Sequence, residues 1–310
     1  LVKGNLVILE STSPVGTTEK MIKVMQNIRS DLNFPIVDKD GFYDIAVTHC
    51  PERVLPGNII SELVENGRII GGVTRKCGEM AKDLYKIFVH NECILTDVRT
   101  AELCKLVENS YRDVNIAFAN ELSKICGKLK IDVWELIDLA NHHPRVNILK
   151  PGPGVGGHCI AVDPWFIVDS APDESKLIYT ARMVNDAKPK YVLSQITNAI
   201  ESIDKEINEI SVACFGLAFK ADIDDLRESP AVEIAMFLDE LNLKKLLLVE
   251  PNISEIPSVF SSDSTSLSVV DAAVIDSDII VILVDHAEFK VIDRKLFSNK
   301  ILIDTRGIYR

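Results

Sequence analysis

Residues 99–130 read RTAELCKLVENSYRDVNIAFANELSKICGKLK, with no proline and no turn cluster, only a lone Gly127. Leu103, Leu106, Val107, Ser110, Val114, Ala117, Phe118, Leu122 and Ile125 recur there at helical spacing. The stretch predicts one helix of about 30 residues, some 45 Å long at 1.5 Å per residue. A helix of that length bridges domains or packs a dimer. On its N-terminal side, residues 1 to about 97 alternate strand-like and helix-like runs: strands at Leu6–Leu9, Asp44–Thr48 and Arg68–Ile70, helices at Thr17–Ser30 and Cys77–Phe88. On its C-terminal side come helices at Trp134–Asn141 and Ser175–Glu201, the second broken or kinked at Pro189. The last hundred residues alternate again, with strands at Ser211–Phe215, Lys245–Val249, Asp278–Val284 and Lys300–Asp304. Ser229-Pro230 caps and starts a helix to about Leu241. Strands alternating with helices indicate parallel sheets, so the fold class is α/β, two parallel-sheet domains joined by a central helical region. The boundaries fall at 1–97, 98–204 and 205–310.

A chain of 310 residues exceeds one comfortable core. No apolar run approaches the roughly 20 residues of a membrane span. Net charge is −12 with no Lys/Arg block, which argues against nucleic acid but leaves room for a local basic pocket. The seven cysteines are odd in number and scattered, with no C-x-x-C pair, so neither a disulfide framework nor a zinc site is expected. A reducing, cytoplasmic location fits, with no membrane partner. The chain opens Leu-Val-Lys-Gly-Asn without an initiator methionine and enters a strand almost at once, which reads as a start within the first domain.

Chemistry concentrates at Gly152–Asp163, GPGVGGHCIAVD, where Cys159 follows a glycine-rich loop and precedes Asp163 by four residues. Glycines let a substrate approach the backbone, while Pro151, Pro153 and Pro164 forbid a helix through the segment. An arbitrary cysteine is usually a small buried hydrophobe. This setting presents Cys159 instead as a covalent nucleophile. Gly152, Gly154 and Gly157 formally satisfy G-x-G-x-x-G, but Pro153 inside the motif and Pro164-Trp165 after it rule out a phosphate cradle. Lys105 and Asn109, at i and i+4, share a helix face and could serve a developing oxyanion, although a snorkelling surface lysine is the commoner outcome. Glu52 lies in a turn after a strand, where a solvated carboxylate is usual. Ser11, Thr12 and Ser13 precede a helix whose ordinary cap is Thr17 or Thr18. Lys220 and Arg306 lie at strand ends, where α/β folds bind ligands and where cations suit a diphosphate. His158 beside Cys159 raises a cysteine hydrolase, weakly, since adjacent side chains diverge.

Taken in order, Glu10–Glu19, Cys50-Pro-Glu-Arg53, Lys105-x-x-x-Asn109, Gly154-x-Gly-Gly-x-Cys159-x-x-x-Asp163, Gly216–Lys220, Leu226–Ser229 and Asp304-Thr-Arg306 resemble the nucleotide-sugar 6-dehydrogenases of the UDP-glucose/GDP-mannose dehydrogenase family. His143–Ile148 and His158–Phe166 look like its UDP-N-acetyl-D-mannosamine branch. The resemblance implies two Rossmann-like domains, NAD as cofactor, a UDP-sugar as substrate and a homodimer through the long helix. It implies two successive oxidations at the sugar C6, with Cys159 carrying first a thiohemiacetal and then a thioester. Lys105 and Asn109 would stabilise the C6 oxygen, Asp163 and Thr12 would hold a proton-relaying water, and Glu52 would assist thioester hydrolysis. Ile148, Leu149, Lys150, Phe219, Lys220 and Arg306 would hold the UDP part. Arg145 would reach a neighbouring subunit, and Arg227, with Thr12, would meet NAD. Two departures stand out. Leu55-Pro56-Gly57 replaces a stretch where related enzymes often carry a carboxylate, and the N-terminal glycine fingerprint of the family is absent, so the NAD domain reads as incomplete. A fragment that binds UDP-sugar without turnover is the competing expectation.

Overall fold

A computed structural model of the chain describes residues 1–37, 39, 41–54 and 59–309, which divide into two compact units. The first comprises Leu1–Ser110 and Asp163–Lys176. Its strands β1 (Leu6–Leu9), β2 (Ala46–His49), β3 (Arg68–Gly72) and β4 (Cys93–Asp97) form one sheet in sequence order. Helices α1 (Thr17–Ile28), α2 (Ile59–Glu65) and α3 (Arg75–Tyr85) alternate with them. Ile22, Phe34, Ile45, Val47 and Val98 close one core, while Ile70, Ala81, Tyr85 and Cys93 close another. The sheet is not wholly parallel, as the strand alternation suggested. Strand β3 runs back along β2, pairing Thr48 with Gly72 and His49 with Gly71. Sequence alternation cannot distinguish a chain that returns from one that crosses over. Strand β4 escaped the sequence reading because it runs into the next helix with no turn between. Asp97 makes that junction, accepting from the Thr100 amide (2.9 Å) and hydroxyl (2.5 Å).

The second unit comprises Tyr111–Val162 and Leu177–Arg310. Its strands are β5 (Ser211–Phe215), β6 (Lys245–Val249), β7 (Thr265–Leu267), β8 (Ile279–Ile282) and β9 (Ile301–Asp304). They lie in the order β7-β6-β5-β8-β9, every pairing parallel. A parallel sheet covered on both faces needs continuous apolar strands, and all four residues of β8 are fully buried. Each such side chain contributes roughly 1.5–3 kcal/mol. Pro189 marks a break as expected, whereas Pro164 departs from the expectation. The predicted helix over Ser175–Glu201 is two helices, Lys176–Asp186 and Lys188–Glu201, with Pro189 in the first turn of the second. Pro164 likewise sits in the first turn of a helix over Asp163–Ser170, so it opens a helix instead of forbidding one. An N–H missing from a first turn costs no intrahelical bond. Pro230 starts its helix as expected, Pro230–Asp239, with the Ser229 hydroxyl accepting from the Ala231 amide at 3.2 Å.

The long helix, Val98–Leu129, forms as the sequence predicts but turns a different face inward. Leu103, Val107, Phe118 and Ile125 of the apolar stripe are exposed, together with Tyr111 and Leu129. The buried side carries Leu106 and Ala117 and, unexpectedly, Glu102, Asn109, Asp113 and Asn120. Their spacings of seven, four and seven residues put these four polar side chains on one line of the helix.

Candidate active site

Within the second unit a cavity of about 420 Å³ opens at the carboxyl ends of β5 and β8 and at the start of the Pro230–Asp239 helix. Arg112, Lys150, Lys220 and Arg306 line it, and Asp285 is the one carboxylate among the lining residues. Arg306 engages Asp285 from Nε at 2.9 Å and Nη2 at 2.7 Å. Burial works to raise the Asp285 pKa, but the guanidinium outweighs it and keeps the carboxyl below its usual range. Three cations are left over, which is the electrostatics of a diphosphate pocket. Leu149 and Phe219 supply apolar wall. Ile148 is not in the lining; its backbone N–H and C=O are pinned by Asn141 at 2.7 and 3.0 Å.

The glycine loop forms part of the same wall through Gly152, Gly154 and Gly156. Gly156 is also needed for packing: a Cβ there would run into the Glu228 carbonyl oxygen. The loop is anchored from beneath. Asn120 accepts from the Gly152 amide at 2.9 Å and donates to Asn185 at 2.9 Å; Asn185 and Arg182 both donate to Asp113. All four of these side chains are buried. Cys159 is exposed, whereas Cys50, Cys77, Cys93, Cys126 and Cys214 are buried and Cys104 is half-buried. Arg145 is exposed, and Arg227, also exposed, lies in a two-pronged pair with Asp225 at 2.6 and 2.8 Å.

A second buried pair shapes the Phe219–Lys220 turn. Glu250 at the end of β6 accepts from the Leu217 and Ala218 amides at 2.7 and 3.0 Å and faces His286 Nε2 at 3.0 Å. His286 Nδ1 accepts from the Asp222 amide at 2.9 Å, so the ring proton sits on Nε2 and is donated to Glu250. Asp222 is held at φ 62°, an unfavourable conformation for a residue with a Cβ. Burial alone would raise the Glu250 pKa, but the His286 hydrogen bond and the two amides bring it down to about 2. A folded-state pKa depressed in this way gives stability that is full above the unfolded value and is lost as pH falls toward 2. Glu250→Gln should therefore remove on the order of 3 kcal/mol of acid-labile stability, flattening the loss between about pH 4.5 and 2. Urea unfolding at stepped pH measures this. Equal slopes in variant and parent would sink it.

The first unit holds the remaining candidates. Asn109 Nδ2 donates to Asp163 Oδ2 at 2.5 Å, and both side chains are buried. Burial raises the Asp163 pKa, while the Asn109 bond and the Lys105 charge pull against it. Lys105, Asn109 and Asp163 thus share one electrostatic environment. Glu52 accepts two 3.2 Å hydrogen bonds from the Arg68 guanidinium and one of 2.7 Å from the Arg53 amide. Arg53 pairs in turn with Glu108, which fixes the Glu52 turn against the long helix beside Asn109. Thr12 is half-buried after β1. Leu55-Pro56-Gly57 lie outside the described residues. Sequence reasoning missed Arg112, although its seven-residue spacing from Lys105 placed it on the same helix face. It also missed Arg68, which no local pattern marks.

One unit is a parallel-sheet unit with a cationic cavity and the other carries a lysine–amide–carboxylate cluster, and these are the parts an oxidoreductase acting on a diphosphate-linked substrate needs. The chain belongs to the UDP-glucose/GDP-mannose dehydrogenase family: it matches the family's NAD-binding domain over residues 1–89, its central domain over 99–187 and its UDP-binding domain over 213–310. It is an NAD-dependent dehydrogenase of a UDP-sugar. It is 55% identical over 309 residues to an NDP-N-acetyl-D-galactosaminuronic acid dehydrogenase of Ralstonia nicotianae, covering 100% of this chain and 71% of the relative. It is 54% identical over 314 residues to a UDP-N-acetyl-D-mannosamine dehydrogenase of Escherichia coli, covering 100% and 74%. The structure of a UDP-D-ManNAc dehydrogenase from Pyrococcus horikoshii superposes with a TM-score of 0.86 at 37% identity, covering 100% of this chain and 71% of that one. Among the described residues no helix is long and apolar enough to cross a membrane.

Proposed function

We propose that the chain oxidises the C6 alcohol of a UDP-N-acetylhexosamine, UDP-N-acetyl-D-mannosamine foremost, to the carboxylate. The observation that carries this is a diphosphate-sized cationic cavity whose wall is the loop leading to the exposed thiol of Cys159. NAD, when bound, accepts one hydride at each of two oxidations. Thr12 and Arg227 are the residues that would meet it; the hydroxyls at the carboxyl end of β1 and a free-standing guanidinium–carboxylate pair fit that use. The aldehyde formed first is attacked at its carbonyl carbon by the Cys159 sulfur, giving a thiohemiacetal. Loss of the second hydride from that carbon leaves a thioester, and water then releases the carboxylate and the thiol. Lys105 and Asn109 stabilise the oxygen at C6. Asp163, with Thr12, holds a water that takes up protons, and Glu52 assists hydrolysis of the thioester.

Leu149, Lys150, Phe219, Lys220, Arg306 and Arg112 grip the UDP part, with Ile148 supporting through its backbone. Domains at 1–97, 98–204 and 205–310 correspond to NAD, central and UDP-sugar regions. The exposed line Leu103, Val107, Tyr111, Phe118, Ile125 and Leu129 is an apolar stripe suited to a second copy of the chain, which would bring Arg145 to the partner's site. A second reading, the galacto-configured N-acetyl sugar, is favoured by the Ralstonia relative. Following NAD⁺ reduction by the full-length enzyme against a panel of UDP-sugars tests the choice. UDP-N-acetylmannosamine should give the highest kcat/KM. A tenfold preference for UDP-glucose, about 1.4 kcal/mol in transition-state binding, overturns the N-acetyl reading.

A further inference from the structure

Helix α1 begins at Gly16, which has no side chain with which to cap it. Its first donors are nevertheless satisfied. Glu102 on the long helix accepts from the Gly16 amide at 2.6 Å, the Thr18 amide at 2.8 Å and the Thr18 hydroxyl at 2.7 Å. Glu102 and Thr18 are both fully buried. Among the described residues no cation pairs with this carboxylate. The neighbouring His49, buried with both ring nitrogens unbonded, is held toward its neutral form by burial. Three convergent donors and the positive end of α1 therefore satisfy a buried carboxylate that no counter-ion among the described residues meets, against the cost of burying a polar group. A carboxylate kept at that cost, reaching 84 and 86 residues back along the chain, fixes something that local packing does not.

What it fixes is the turn over residues 11–18, which carries Thr12, against the part of the long helix that carries Lys105 and Asn109. Those two lie three and seven residues beyond Glu102, one and two turns along the same side. We infer that Glu102 is a positioning residue for the oxidation site, setting the place of Thr12 relative to Lys105, Asn109 and Asp163. This rests on the reading of those four residues given above. It also means that the N-terminus of α1 is already occupied by an internal anion, so the cofactor's diphosphate is bound elsewhere.

The test uses the full-length enzyme and four proteins: parent, Glu102→Gln, Thr12→Ala and the double variant. In Glu102→Gln an amide nitrogen replaces one acceptor and faces an N–H donor. We expect kcat to fall at least 30-fold, with the KM for UDP-sugar within threefold and UDP affinity unchanged, because the UDP cavity belongs to the other unit. The double variant should be no slower than the slower single one, the mark of two residues acting through one another. Thr18→Val, which deletes one of the three bonds, should give a smaller fall of the same kind and keeps the test open if Glu102→Gln folds poorly. Unchanged kcat in Glu102→Gln and Thr18→Val, or losses that multiply in the double variant, overturn the proposal. A large loss in Glu102→Gln with Thr12→Ala unimpaired also overturns it, by removing the residue said to be positioned. A parent enzyme that oxidises no UDP-sugar fails the functional reading instead.

Discussion

Cys159→Ser in the full-length enzyme is expected to lower turnover to the acid below a hundredth of the parent's, with UDP affinity unaltered. The cavity residues proposed to hold the diphosphate lie at strand ends, on the long helix and on the loop before Cys159, and the cysteine side chain is not part of that lining. The substitution keeps shape and hydrogen bonding but exchanges a thiol for a hydroxyl, which needs an added base to become a nucleophile. The other six cysteines cannot substitute, since five are buried and Cys104 is half-buried. A hundredfold loss corresponds to about 2.7 kcal/mol of transition-state stabilisation. Product analysis separates the steps: the first oxidation needs no nucleophile, so aldehyde or its hydrate should appear where the parent gives acid. Turnover to the acid above a few per cent would remove the covalent role from Cys159.

Much of this architecture is legible in the sequence because it obeys short-range rules. Strands β5 and β6 fall at the predicted residues, since strands buried on both faces have to be continuously apolar. The Ser229-Pro230 helix start follows from cap chemistry alone. The long helix is visible for want of anything that could break it, but its orientation is not. An apolar stripe at helical spacing reads as a core face, yet here much of it is exposed, and the buried line is Glu102, Asn109, Asp113 and Asn120. Polar residues go inside only where partners distant in sequence satisfy them. Those partners, Thr18, Asp163, Arg182 and Gly152, are 32 to 84 residues away. The same limit explains the glycine loop. Its glycines suggested ligand access, and the structure adds that Gly156 yields room to the Glu228 backbone. Arg68 marks the boundary of the method most clearly. Nothing around it in sequence distinguishes it from a strand-edge arginine, yet it is fully buried and holds Glu52.

That pairing determines what Glu52→Gln should do. Arg68 donates to both Glu52 oxygens, to the Leu63 carbonyl at 3.3 Å, and sits over the Tyr85 ring at 5.6 Å. Removing the carboxylate charge leaves a buried guanidinium with only neutral partners, a change that is destabilising whichever direction the pair's net contribution takes. Because the Glu52 side chain is 39% exposed, water screens part of the interaction, and the loss should be roughly 1–3 kcal/mol and not the larger cost of a fully buried pair. The chemical effect is separable from this. If Glu52 assists water at the thioester, both oxidations proceed and the last step stalls, so an acyl adduct on Cys159 should accumulate. Intact-mass spectrometry after mixing the full-length variant with NAD⁺ and UDP-N-acetylmannosamine reads the adduct directly, and Arg68→Met supplies the comparison. That variant shares the broken pair and the lost stability but keeps the carboxylate. It should remain unmodified at steady state while Glu52→Gln is largely acylated. A Glu52→Gln enzyme that is slow yet unmodified would reduce Glu52 to the counter-ion of Arg68.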